Sequence, residues 1–290
     1  MNAPWPTPVF LESAGPRPAA GSGRFEVEFV RQATKTRLAR QYVSYPFHLT
    51  RPFALDHEIP SLSTIYQQSC SGGAYRGDEW NIGLSTRAGA HAHVTTQAAT
   101  IVHDCQGNPV RQRIDIECGE ASFLAFTPDP VILYPGAAIA SKVDVRKAKD
   151  AVVLLIDCFD CFDPLAANRG FDFLQSDTEI RAADGTLLVC DNYRLDGAAY
   201  RSPTSPLGKW RRSFTALALG PETMLPSTMV WRRLAARSGL IAGFSALPNE
   251  AGVVFRALAD EAGPLRALAA ALFSDVVEAA LGHAPTPRRK

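Results

Sequence analysis

Two short arrangements hold residue types suited to metal or redox chemistry. The first is His91-Ala92-His93. On a strand, residues i and i+2 share a face, so both imidazoles could reach one ion. A cupin-type site would add a glutamate downstream and a glycine upstream. Those places carry Thr96, Gln97 or Ala98 and Ser85 instead, so the pair reads as solvent-facing or hydrogen-bonded. The second is Cys158-Phe159-Asp160-Cys161. It has no second Cys-x-x-Cys to complete a zinc site and no βαβ context for thioredoxin-like redox work, so it reads as two small buried residues. Cys70, Cys105, Cys118 and Cys190 are scattered without a spacing pattern. Gly208-Lys209 is followed by Trp210 and lacks a phosphate cradle, so GTP turnover by this chain is not expected. Neither a Gly-x-Gly-x-x-Gly after a strand nor a Gly-x-Ser-x-Gly elbow is present. No set of residues reads as a catalytic site, which leans toward a binding or assembly protein.

The elements that must position these residues are mostly strands. Phe25, Val27 and Phe29 alternate with Arg24, Glu26 and Glu28. A period of two puts the apolar residues on one face and predicts a half-buried strand. Trp80, Ile82 and Leu84 alternate likewise, as do Ile114 and Ile116, and Ile139 through Val145. Val152 to Ile156 is apolar throughout and predicts a strand buried on both faces. Three segments repeat one layout of strand, polar turn, alanine and strand: Ile82–Ala90, Ile114–Ala121 and Val143–Ala151. Their alanines are 31 and 30 residues apart. Such a period predicts a mainly β, layered body of many short strands, β-helix-like or sandwich-like. One long helix is expected near residues 264–281, with Pro264 at its start, Leu265, Leu268, Leu272 and Val276 on one stripe, and Gly282 as its stop. Asp275 and Glu278 lie in its later turns, where the macrodipole disfavours them, so the apolar stripe must pack or dock. Residues 1–23, rich in proline and glycine, read as a flexible tail, 24–282 as a single domain, and 283–290 as a frayed end.

Bulk properties narrow the class further. Of 290 residues, 46% are hydrophobic and 20% charged, which fits a globular chain. The formal net charge is +1, so neither nucleic-acid binding nor a polybasic membrane anchor is expected. The longest apolar runs, Ala151 to Ile156 and Ala267 to Phe273, fall well short of the ~20 residues of a membrane span. The first residues have neither a basic start nor an apolar core, so a secretory signal is not expected, and the cysteines should stay reduced in the cytosol.

The blocks Ser71-Gly72-Gly73-Ala74-Tyr75-Arg76-Gly77-Asp78 and Val94-Thr95-Thr96-Gln97-Ala98-Ala99-Thr100 carry the most specific signal. Together they resemble the UreD (also UreH) family of urease accessory proteins. Its pattern is a Gly-Gly-x-x-x-Gly-Asp turn, a Thr-Thr-Gln-Ala-Ala-Thr strand and a Leu-Glu-aromatic-Leu-Pro-x-Pro segment. The last is matched in part by Leu124 to Ile132, including Pro128 and Pro130. Residues 46–53 and 242–258, with Arg256, are similar to further family blocks. This chain departs from the pattern at Ile101 and His103, at Ala125 in place of the glutamate, at Phe171, and at Val276 or Val277 in place of a helix arginine.

The resemblance implies a cytoplasmic, non-enzymatic scaffold that helps incorporate nickel into the urease apoprotein. It would act with a UreF-type partner, expected to dock on residues 264–290, and with a UreG-type GTPase. No cofactor would be stably bound; nickel would be handled transiently along Asp78, with His91, His93 and His103 as further candidates. Gly72, Gly73, Gly77, Thr95, Thr96, Gln97, Pro128, Pro130 and Arg256 are the motif residues of this expectation, and they suit turns and strands as readily as nickel contact. Two other readings stay open here: a UreD-like paralogue serving another client, and a small metal-dependent enzyme built on His91 and His93.

Overall fold

The computed structural model describes residues 21–288 apart from 168 and 206, so the expected tail over 1–20 lies outside the described residues. In chain order the strands begin with β1 (Ser22–Gln32), β2 (Lys35–Val43), β3 (Phe47–Leu49), β4 (Leu62–Ser69), β5 (Glu79–Thr86) and β6 (His91–Thr96). Then come β7 (Thr100–Val102), β8 (Val110–Cys118), β9 (Phe123–Thr127), β10 (Val131–Leu133), β11 (Ala138–Lys147) and β12 (Val152–Cys161). The last part holds β13 (Phe173–Ala182), β14 (Leu187–Asp196), the short helix α1 (Gly197–Arg201), β15 (Arg212–Leu219), α2 (Thr228–Ala235), β16 (Leu240–Ala246), β17 (Gly252–Ala259) and α3 (Ala262–Leu281). The chain is therefore a mainly β, layered body with a C-terminal helix.

Two sheets face each other, ordered β14-β13-β11-β8-β5-β1-β2 and β16-β17-β15-β12-β9-β6-β4-β3. The central strands of each run parallel, and parallel neighbours need a crossover. The crossovers here are strands of the opposite sheet, not helices. The chain winds β5-β6-β7, then β8-β9-β10, then β11-β12, in solenoid coils. Ile82, Ile114 and Val143 lie side by side in one sheet, and His91, Phe123 and Val152 in the other. The repeat seen in the sequence is thus the coil itself, with one adjustment. Because His91 pairs with Phe123, the position beside Ala90 is Ser122, not Ala121. Ala121 turns the corner at φ 48°, and the Ser122 hydroxyl donates to the Gly119 carbonyl (2.7 Å).

Burial follows the alternation. Phe25, Phe29, Trp80, Ile82, Leu84 and Ile116 fill the space between the sheets. Fully burying a side chain of this size stabilises by about 1.5–3 kcal/mol. β12 is buried on both faces: Val153 and Leu155 point into this inner layer, while Val152, Leu154 and Ile156 point outward under α3. α3 begins at Ala262, so Pro264 sits in its first turn rather than at its first position, and Gly282 ends it at φ 85° with its N–H on the Glu278 carbonyl. Leu265, Leu268, Leu272 and Val276 are all buried against the second sheet. The stripe expected to pack or dock is thereby taken up inside the chain, and Arg233 of α2 pairs with Asp275 (2.9 Å), answering the poor charge pattern.

Residues 283–288, where a frayed end is expected, make specific contacts. The Thr286 N–H donates to Asp56 (2.6 Å), and Arg288 pairs with the same carboxylate (2.8 Å) and donates to Thr64 (3.2 Å). α2 carries no mark in the sequence reading. Its signal, Trp231 and Leu234 at i, i+3 after Pro226-Ser227, is short; Trp231 packs against Phe244 and Phe255 of the second sheet.

Candidate functional site

The sequence blocks around 71–78, 94–100 and 124–132 are neighbouring turns of the solenoid. Thr95 donates from Oγ1 to the Thr127 carbonyl (2.6 Å), and the Thr96 Oγ1 accepts the Asp129 N–H (2.8 Å). The Thr100 N–H donates to the Pro130 carbonyl (3.1 Å). Gln97 accepts from Gln68, and its N–H bonds the Gln67 carbonyl (3.2 Å). The threonines thus stitch one coil to the next, with Pro128 and Pro130 in the loop that receives them.

The glycine-rich loop is built around a close approach. Ala74 bridges to Val102, its N–H donates to the Ile101 carbonyl (2.7 Å), and the His103 N–H returns to the Ala74 carbonyl (3.0 Å). Gly73 has φ 134°, and a Cβ there would lie 2.3 Å from the Ile101 oxygen, so only glycine fits. Gly77 turns at φ 74°. Asp78 closes the loop: Oδ2 accepts the Tyr75 N–H (2.9 Å), and Oδ1 accepts the Gly21 N–H (3.0 Å), tying the entry of β1 to the turn.

The three histidines occupy different surroundings. His91 Nδ1 is hydrogen-bonded to Ser61 (2.9 Å), and burial, with Arg31 nearby, lowers its pKa from 6.5 to about 4. His93 is buried, stacks on Phe273 of α3 (4.2 Å) and bonds Thr127 through Nε2 (2.8 Å). His103 belongs to the glycine loop: its Nε2 lies 3.0 Å from the Gly72 carbonyl oxygen, and its ring stacks on Tyr75 at 4.5 Å and 2°. Asp78 and His103 flank one loop, while His91 and His93 stand on β6. Among the described residues no three His, Cys, Asp or Glu side chains form a metal-holding group.

The cysteines are all free thiols. Cys158 and Cys161 lie on one strand at i, i+3, so Cys158 joins the outer layer and Cys161 packs against the inner one. They cannot chelate together. Burial raises the Cys158 thiol well above its usual pKa and the Cys118 thiol to about 12, which keeps both neutral. Arg256 stands apart from the loops: it reaches from β17 to Asp191 of β14 (2.6 Å), tying the two sheets at their far end.

The departures from the family pattern are mostly interior. Ala125 is fully buried on β9, and Val276 and Val277 are fully buried on α3, in the same apolar layer. An ionised side chain at any of these positions would need a buried partner. Phe171 is buried against Tyr200 (5.5 Å), and its carbonyl lies where a Gly197 Cβ would sit.

Similarity to known proteins gives the family. The family profile described as UreD urease accessory protein matches residues 21–290. The chain is 41% identical over 263 residues to "Urease accessory protein UreD 1" of Methylorubrum populi, covering 90% of each chain. It is 40% identical to the protein of that name from Bradyrhizobium sp. (strain BTAi1), covering 88% of this chain and 90% of the relative. It is 34% identical to "Urease accessory protein UreD" of Natronomonas pharaonis, covering 85% of each. With its motif loops in register and its length matched almost throughout, the chain belongs to the UreD family of urease accessory proteins.

Proposed function

We propose that this protein is a non-enzymatic scaffold for nickel incorporation into the urease apoprotein, working in the cytoplasm with a UreF-type partner and a UreG-type GTPase. The observation that carries this reading is the near full-length identity to relatives named urease accessory proteins. The family departures at Ala125, Phe171, Val276 and Val277 lie in the packed interior, whereas those at Ile101 and His103 are half-buried beside the glycine loop. Nickel is cargo in this reading, held briefly and released. Neutral imidazole is a fitting transient ligand, and His91 and His103, both half-buried, are better placed for it than His93 under α3. Because α3 is already packed, the UreF-type partner would meet the outer faces of α2 and α3 rather than their apolar stripes.

The test is reconstitution of urease with its accessory set, with and without this chain, reading nickel per active site and urea hydrolysis. Activity and nickel content should collapse without the chain. Full loading in its absence would refute the proposal.

A further inference from the structure

The corner of the solenoid carries a feature that neither the fold nor the proposed role explains. Ala74, Val102, Leu133 and Cys161 lie side by side along it. The next residue on each is aromatic: Tyr75, His103, Tyr134 and Phe162. Their rings form a continuous row, with centroids 4.5, 5.5 and 6.0 Å apart. The row is at the surface, with Tyr75 46% and Phe162 55% exposed, and Leu165 beyond it 72% exposed. Ring stacking accounts for the contacts within the row, but not for the apolar surface that Phe162 and Leu165 leave exposed at an outer corner.

At the Phe162 end the row opens into a cleft of about 320 Å³ lined by Phe162, Asp163, Arg201, Arg211 and Arg212. Asp163 is held by Arg169 (2.8 Å), and Arg212 by Asp160 (2.7 Å). Arg211 donates to the Tyr200 carbonyl (2.7 Å), a neutral partner. The lining thus carries three guanidinium groups against one carboxylate, although the chain as a whole is nearly neutral.

We infer that this corner is a docking surface for an extended protein segment that sets a carboxylate into the arginine cleft and an aromatic or aliphatic side chain against Phe162 and the row behind it. Guanidinium forks match carboxylates in geometry and charge. An uncharged glycan would leave the cleft unanswered. A single-stranded nucleic acid needs open ring faces to stack on. Here Tyr75 and His103 lie face to face and present their edges, which suit an apolar side chain. The surface also gives the glycine loop a purpose: Gly73 and Asp78 fix the turn that holds Tyr75 over His103.

The probe is a displayed library of random dodecapeptides selected on the full chain, with the recovered peptides synthesised and their affinity measured at low and high salt. Enrichment of Asp or Glu beside an aromatic or aliphatic residue is expected, with binding that weakens as salt rises. Phe162→Ser should weaken the best peptide by about tenfold or more, as hot-spot loss does. The Arg201→Gln, Arg211→Gln double variant should do the same while leaving the apolar row in place, so its melting temperature guards against misfolding. Leu187→Ser, at the exposed start of β14 and away from the corner, should bind as the parent does. Absence of any enriched peptide, binding unchanged in both corner variants, or tighter binding of oligo-dT than of any peptide would overturn the inference.

Discussion

Asp78 illustrates how a motif residue can be explained by its own hydrogen bonds. Both carboxylate oxygens are taken by backbone N–H groups, one of them from Gly21 at the start of β1. Asp78→Ala is expected to lower stability by about 1–3 kcal/mol, since each orphaned N–H loses a charge-assisted bond. Chemical denaturation and urease activation should be measured on the same variant. Activation falling only in step with folded protein is the expected result. A stable variant with impaired nickel loading would instead place Asp78 on the ion's path. His91 offers a second residue-scale prediction. Its pKa is depressed in the fold, so the unfolded chain takes up the proton first. Stability is full above pH 6.5 and falls as pH drops toward about 4. His91→Gln should remove this part of the pH dependence, read as a smaller shift of the urea midpoint between pH 7 and pH 5 than in the parent.

Helix α3 is the element on which the outer layer depends. Leu268, Leu272, Val276 and Val277 form one buried apolar cluster with Ala125, Leu154 and Phe255. Ala125→Glu alone would bury an unpaired carboxylate and is expected to cost about 3 kcal/mol or more. Adding Val276→Arg should recover part of that loss if the two positions are coupled, and a double-mutant cycle by calorimetry measures the coupling. Additive penalties would separate the two losses of charge. The same packing explains why removing residues 264–290 is a poor test of partner docking. The truncation strips the cover from β9, β12 and β15, so loss of a complex would follow from loss of fold.

On the scale of the whole molecule, the last described residues are joined to the body by long-range bonds. Asp56, between β3 and β4, is 2% exposed in its side chain and pairs with Arg288, 10% exposed, at the far end of the sequence. Arg288 also lies over Phe273 of α3 (5.5 Å). Breaking a buried pair leaves one charge stranded, so Asp56→Ala should cost about 3 kcal/mol. Arg288→Ala is expected to cost less, because Asp56 keeps the Thr286 N–H. Thermal unfolding of the two variants provides the comparison, and equal, negligible shifts would show that the tail bonds contribute nothing.

Local periodicity was enough to read β1, β5, β8, β11 and β12. Phe25, Val27 and Phe29 had to share a face, β12 had to be buried twice over, and the spacing near thirty residues had to reflect a repeated unit, because a β side chain's direction depends only on its parity along the chain. The glycine loop was legible for a similar reason, since turns with positive φ demand glycine, whereas the Thr-Thr-Gln block was legible only through the family resemblance. The helix α2 was too short to show a full apolar period. Other features were outside the reach of any local pattern, since they depend on residues remote in sequence that the coils bring together. Ala121 proved one place out of register because strand pairing, not spacing, sets which residues are neighbours. His91 and His93 share a strand face yet serve different partners, Ser61 and Thr127, supplied by other coils. Tyr75, His103, Tyr134 and Phe162 have no common motif and become a row only when four turns stack. The sequence by itself determined the kind of layers and the family. Tertiary structure alone decided which side chains meet, because in a solenoid contact follows from lateral register between coils.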